Sequence, residues 1–237
     1  MSLGIGVTHN STWLGMKNYE NAKYMNNEFR LSMTNRFSQL QLHSYVNYHY
    51  DMYFLNNDTD ANARKIHSLN AGVNANNNKS SYMSLYDEFA LDYSYSGIQG
   101  GMQENLLKFN AHLEHTNSWF RSKDNMQTLS LDLNAELDNI EQTLFIIAAN
   151  PHLAFDGEFY NLHLGFRIDA KTNSISVGGI YPDIKGSLYL FERNFEFYAG
   201  LGGKTKINSL KEILSENPFI ISDLTKIAEF DYEKTKL

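Results

Sequence analysis

The chain has 237 residues, a formal net charge of -7 and no Cys. The absence of thiols excludes disulfide stapling, Cys-ligated zinc and thiol catalysis, and an acidic balance with no Lys/Arg cluster excludes a nucleic-acid footprint. Hydrophobic residues make up 42% and aromatics 14%, with 15 Tyr and 15 Phe, a mix that favours strands.

The opening Met1-Ser2-Leu3-Gly4 has no basic region, apolar core or cleavage site of a secretory signal. An exported form is therefore expected to carry its signal upstream, and the chain is read as a fragment of a longer one. The first long period-two stretch is Gln39 to Phe54. One face carries Leu40, Leu42, Ser44, Val46, Tyr48, Tyr50, Met52 and Phe54, and the other Gln39, Gln41, His43, Tyr45, Asn47, His49 and Asp51. The alternation recurs in His67 to Asn76, in Phe89-Leu91-Tyr93-Tyr95 and in Leu107 to Glu114. It is cleanest in Thr128 to Asp138, where Leu129, Leu131, Leu133, Ala135 and Leu137 oppose Ser130, Asp132, Asn134, Glu136 and Asp138.

The longest apolar run, Leu144-Phe145-Ile146-Ile147-Ala148-Ala149, falls far short of the roughly 20 residues of a membrane-spanning helix. Strands resume at Leu162 to Ile168 and Phe195 to Leu201. Turn-rich stretches separate them: Asn56 to Asp60, Asn76 to Lys79, Ser96 to Gly101 and Asp169 to Ser174. Gly178-Gly179 and Gly202-Gly203 predict bends in curved strands. One helix is expected, Ser209 to Glu216, with Ser209 and Glu212 as a capping box and Asn217-Pro218 as the stop. It is placed in a loop. Asp223 to Leu237 mixes charges with isolated apolar residues and is open to three readings: a strand remnant, an amphipathic turn or a disordered end.

These strands predict an all-β fold: an antiparallel up-and-down transmembrane β-barrel, or a segment of one, with a short loop helix near residues 209–216. Only 3 Pro and no Gly/Ser-rich linker divide the chain, so residues 1–237 are read as a single domain. The mean hydropathy of -0.44 does not exclude a membrane barrel, because its lipid-facing and lumenal residues average out. Strand length favours the membrane, since a tilted spanning strand needs about 9–11 residues and soluble strands average about 5–6. Aromatics gather near strand ends at Tyr48, Tyr50, Tyr53 and Phe54, at Tyr93 and Tyr95, and at Trp119 and Phe120, as interfacial girdles require. The alternative is a soluble extracytoplasmic β-sandwich or barrel that binds a ligand or protein partner.

A resemblance covers residues 165–222. Tyr181-Pro182-Asp183-Ile184-Lys185-Gly186, Phe197-Tyr198-Ala199-Gly200-Leu201-Gly202-Gly203, and Asn208-Ser209 leading to Glu216-Asn217-Pro218-Phe219 resemble outer-membrane β-barrel proteins of the TonB-dependent-receptor-like kind. The resemblance implies a bacterial outer-membrane location, lipid contact, a periplasmic or other envelope protein as partner, and a transport, porin-like or receptor role. The plug domain, the TonB-contacting segment and the closing aromatic of that family have no counterpart here, so it carries architecture and not energised uptake.

The search for chemistry predicts no enzyme, no cofactor and no metal site. His112 and His115 have opposite strand parity, and His43 and His49, six residues apart on a strand, stand about 20 Å from one another. There is no Gly-x-Ser-x-Gly elbow. Gly200 to Thr205 contains Gly-Lys-Thr but lacks the first glycine of a phosphate loop, and reads as a strand end. Glu136 and Asp138 lie about 7 Å apart on one face, Asp132 and Glu136 about 13 Å, and these carboxylates suit a pore lining better than acid–base catalysis. The expected lumen-facing polar residues are Gln41, His43, Asn47, His49, Asp51, Asp132, Asn134 and Glu136.

Overall fold

The computed structural model describes residues 1–16, 19–38, 40, 41–54, 63–77, 86–117, 126–140, 143–172, 176–191, 194–216 and 230–233. Eleven strands follow one another: β1 Ser2–Met16, β2 Tyr19–Arg36, β3 Leu40–Phe54, β4 Arg64–Asn77, β5 Tyr86–Ile98, β6 Gln103–Asn117, β7 Met126–Asn139, β8 Thr143–Asp156, β9 Tyr160–Lys171, β10 Ser176–Leu190 and β11 Phe195–Gly202. They form a single sheet in sequence order, each antiparallel to the next. This is the predicted up-and-down arrangement. The sheet is open, with β1 and β11 as its edges.

The predicted strands are found and, β3 apart, are longer than their alternation suggested. Ser96 to Ile98 and Asp169 to Lys171, read as turn-rich, complete β5 and β9. β1, β2 and β8 have no counterpart among the alternating stretches, and β10 is marked only by its glycine bend and by the family resemblance. In β8 the run Leu144 to Ala149 is apolar at both parities and Pro151 follows it, which hides the period of two. The register between β9 and β10 shifts between Val177 and Gly179, a bulge at the expected glycine bend. The expected turns at Asn56 to Asp60 and at residues 78–79, the aromatics Trp119 and Phe120, and the stop Asn217-Pro218 lie outside the described residues.

The two faces of the sheet differ as the alternation demands. On one, Val46, Leu91, Leu107, Ile147, Phe166 and Ile184 point outward, with Leu91 49%, Ile147 48% and Phe166 45% exposed. Among the described residues no element covers this face. A sandwich would bury it beneath a second sheet. The one other sheet described, β12 Lys204–Ile207 paired antiparallel with β13 Phe230–Glu233, lies on the opposite, polar face, where Thr205 meets Asp169 of β9 and Tyr181 of β10. β13 falls in the tail at Asp223 to Leu237, where a strand is one of the three open readings.

The helix α1 is Leu210–Glu216. Ser209 caps it as expected, its Oγ accepting the Glu212 N–H at 3.2 Å. Glu212 does not complete the capping box by reaching back. Its carboxylate pairs with Lys206 at 2.7 Å. The helix is also not a free loop: Leu210 and Leu214 pack on Ile66 and Ile98, with Tyr53, Met102 and Ile140 around them.

Candidate functional site

The polar face holds the groups capable of recognition, and the antiparallel register decides which of them meet. Same-parity residues on neighbouring strands stand side by side, about 4.8 Å apart along the hydrogen-bonding direction. His112 of β6 lies opposite Asp132 of β7, and His152 of β8 opposite Gly165 of β9. The result is a row of acids and bases across five strands. His112 Nε2 is 3.4 Å from Glu114 and its Nδ1 2.5 Å from Asp132, whose other oxygen is 3.5 Å from His152. The His152 and His163 rings lie tilted by 31° with centroids 4.3 Å apart, and His163 meets Asp183 at 2.8 Å. Asp183 also accepts from Asn150 at 3.0 Å and pairs with Lys185 at 2.9 Å.

Two backbone features make room for this row. Gly165 faces His152, and a Cβ there would stand 2.6 Å from the His152 Cβ and 2.9 Å from the Pro151 carbonyl oxygen. Pro151, with no N–H to give the ladder, stands in a central strand, where proline is disfavoured. Beside the row a depression of about 260 Å³ opens, lined by Glu88, Asn110, Asp132, Asn134 and Arg167. Its charges are largely committed: Glu88 accepts from Asn74 at 2.8 Å and Arg167 donates to Asp169 at 2.6 Å. Among the described residues no group of three His, Asp or Glu side chains is placed to hold a metal ion.

The residues expected to face a lumen all have the parity of this polar face. Gln41 and Asn47 line it on β3, in register with Asn76 and Asn70 of β4. His43 is 2.9 Å from Thr34, and His49 is 3.2 Å from Glu28, which also binds Arg30. Asp51 accepts from Asn26 at 2.5 Å and from Tyr24 at 3.4 Å. On β7, Asp132 joins the histidine row, Asn134 lines the depression and Glu136 pairs with Lys108 at 3.1 Å. The β3 and β7 groups do not converge, because β4, β5 and β6 stand between them, a separation of about 19 Å across four strand spacings.

Sequence reasoning missed His152, His163 and Asp183, because they belong to different strands and only the register joins them. It also missed the far end of the face. Here Ile66, Ile98, Leu106, Leu144, Ile146 and Ala148 have polar-face parity yet are apolar and buried. The signal was the double-sided run at Leu144 to Ala149. Onto this apolar floor folds the segment of β12 and α1, with Ile207 packed on Leu144 and Ile146. Carboxylates fasten it: Glu104 accepts the backbone N–H groups of Leu210 at 2.5 Å and Lys211 at 3.1 Å, and Asp169 that of Thr205 at 2.6 Å. Burial against the wall, and then the charge of Lys108, lower the pKa of Lys211 in the helix. Its ammonium donates to Asn70 at 2.5 Å. Asp138, on the polar side of the cleanest alternating stretch, is fully buried here.

No protein-family model matches the sequence, and no curated protein matches it. Among solved structures the chain is similar to the crystal structure of the siderophore receptor PirA from Pseudomonas aeruginosa, with a TM-score of 0.56 and 12% identity over 81% of this chain. The chain has the fold of an up-and-down β-barrel wall. The match spans 35% of that receptor, about a third of its length. At this identity the likeness is one of fold alone.

Proposed function

We propose that the chain forms part of the wall of a bacterial outer-membrane β-barrel with a receptor or transport role for a hydrophilic solute. The observation that carries this reading is the uncovered apolar face, set against a polar face whose charges are paired side by side. Lipid is the solvent in which such a face is stable, because water would have to hydrate it all and a sandwich would have to bury it. Both the likeness to a siderophore receptor and the segment folded across one end of the polar face favour a receptor over an open pore. No catalytic role belongs to this reading, since the acid–base row spends its groups on one another. Lipid is the first partner, and a periplasmic or other envelope protein is the protein partner such a location implies.

The test is refolding into phospholipid vesicles, read by protease protection and by a heat-sensitive shift in electrophoretic mobility. Protected, heat-modifiable protein supports the reading. A monomer that is soluble without detergent and fully digested in the presence of vesicles would overturn it.

A further inference from the structure

We propose that Lys204 to Glu216 is a displaceable strap, which closes one end of the polar interior while Glu104 and Asp169 hold its backbone and opens it when they let go. The proposal rests on the barrel reading, because only in a barrel does this face enclose an interior.

The strap is built for its seat. The wall beneath it breaks the polar pattern of its own face at Ile66, Ile98, Leu144 and Ile146, and Ile207, Leu210 and Leu214 fill that patch. It is also bound to itself: the Lys206–Glu212 ion pair ties β12 to α1, and the Ser209 cap joins them. Such a segment can leave as one piece, carrying with it β13, which is paired to β12.

The seat carries a penalty that departure would relieve. Asp138 lies between Leu106 and Leu144 in the register, and its carboxyl is fully buried beside that of Glu104, with no N–H donor to either oxygen among the described residues. Its charged neighbours are the carboxylates of Glu104 and Glu136 and the ammonium of Lys108. A fully buried carboxyl whose neighbours are two further carboxyl groups is unfavourable, because burial and like charge both work against ionising it. The strap also seats incompletely. A cleft of about 330 Å³ remains between α1 and the wall, lined by Asn70, Asp92, Ser94, Lys108, Lys211 and Ser215. Apolar contact and two carboxylate anchors pull the strap in, while a buried cluster of carboxyl groups and an unfilled cleft weigh against closure. A balance of that kind makes a two-state element.

The chain has no Cys, so a single introduced thiol reports on the strap. Ile146→Cys places one beneath Ile207, and Asn110→Cys places a control on the exposed polar face. Both are labelled with a water-soluble maleimide in detergent-refolded protein. The expected result is slow labelling of the buried thiol, at least tenfold faster when Glu104→Gln and Asp169→Asn are combined, with the control thiol unchanged. Leu214→Ala, which keeps both anchors, is expected to accelerate it as well. Equal rates with and without either change would overturn the proposal, as would fast labelling in the parent or loss of the heat-modifiable form in both variants. The assay needs neither vesicles nor solute, so failure to insert into lipid would count against the barrel reading and leave the strap result standing.

Discussion

Glu104 on β6 and Leu210 at the start of α1 are 106 positions apart in the chain, and the Glu104 carboxylate accepts the Leu210 N–H at 2.5 Å. The carboxylate is fully buried and binds the Lys211 N–H as well. Glu104→Ala should therefore leave two helix N–H groups without an acceptor, at a cost of about 1–3 kcal/mol. Hydrogen exchange should show lost protection at Leu210 and Lys211 while the β5–β6 and β6–β7 ladders stay protected. Unchanged protection in the helix would refute the anchor.

Ser209→Ala removes the cap at the same helix end. About 1 kcal/mol should be lost. The loss should appear as faster exchange in the first turn of α1, with the denaturation midpoint of the sheet unmoved. A shift of the whole transition would mean instead that α1 and the sheet unfold together.

The two faces should answer oppositely to charge. Leu91→Arg, in the middle of β5 on the uncovered apolar face, should cost about 2–4 kcal/mol in lipid. Asn110→Lys, on the polar face of β6, should change little. Reversible folding into vesicles in a denaturant titration measures both. Equal costs would argue that the apolar face does not meet lipid.

Glycine positions give a steric test of the histidine row. Gly165→Ala should cost about 1–3 kcal/mol, because the added methyl meets the His152 Cβ and the Pro151 carbonyl, neither of which can swing aside. Gly6→Ala is the contrast. Its Cβ would stand 3.8 Å from Arg30, an ordinary contact, so stability should hardly move. Comparing the two denaturation midpoints decides whether the row is as tightly built as its distances imply.

Much of the wall was legible from local pattern. Leu129 to Asp138 declares a strand with two unlike faces, and the polar residues from Gln41 to Glu136 carry the parity that places them on one side. The period of two is a property of the backbone itself, so it survives whatever the neighbours are. β8 was illegible for the complementary reason: Leu144, Ile146 and Ala148 face a covering segment, and their partner, Ile207, lies some sixty positions further along the chain. The histidine row escaped as well. His112, His152 and His163 are ordinary polar-face residues until the register sets them beside Asp132 and Asp183.

By itself, then, the sequence determined most of the strands, their faces and the antiparallel up-and-down class, because alternation and turn chemistry act over a few residues. Tertiary structure alone decided that α1 lies against the polar face, that Glu104 and Asp169 hold the segment around it, and that Asp138 is buried. Those relationships join residues from 36 to 107 positions apart. No local periodicity reports such pairings, since each depends on where the sheet brings a distant strand and which apolar surface is left for the returning chain to cover.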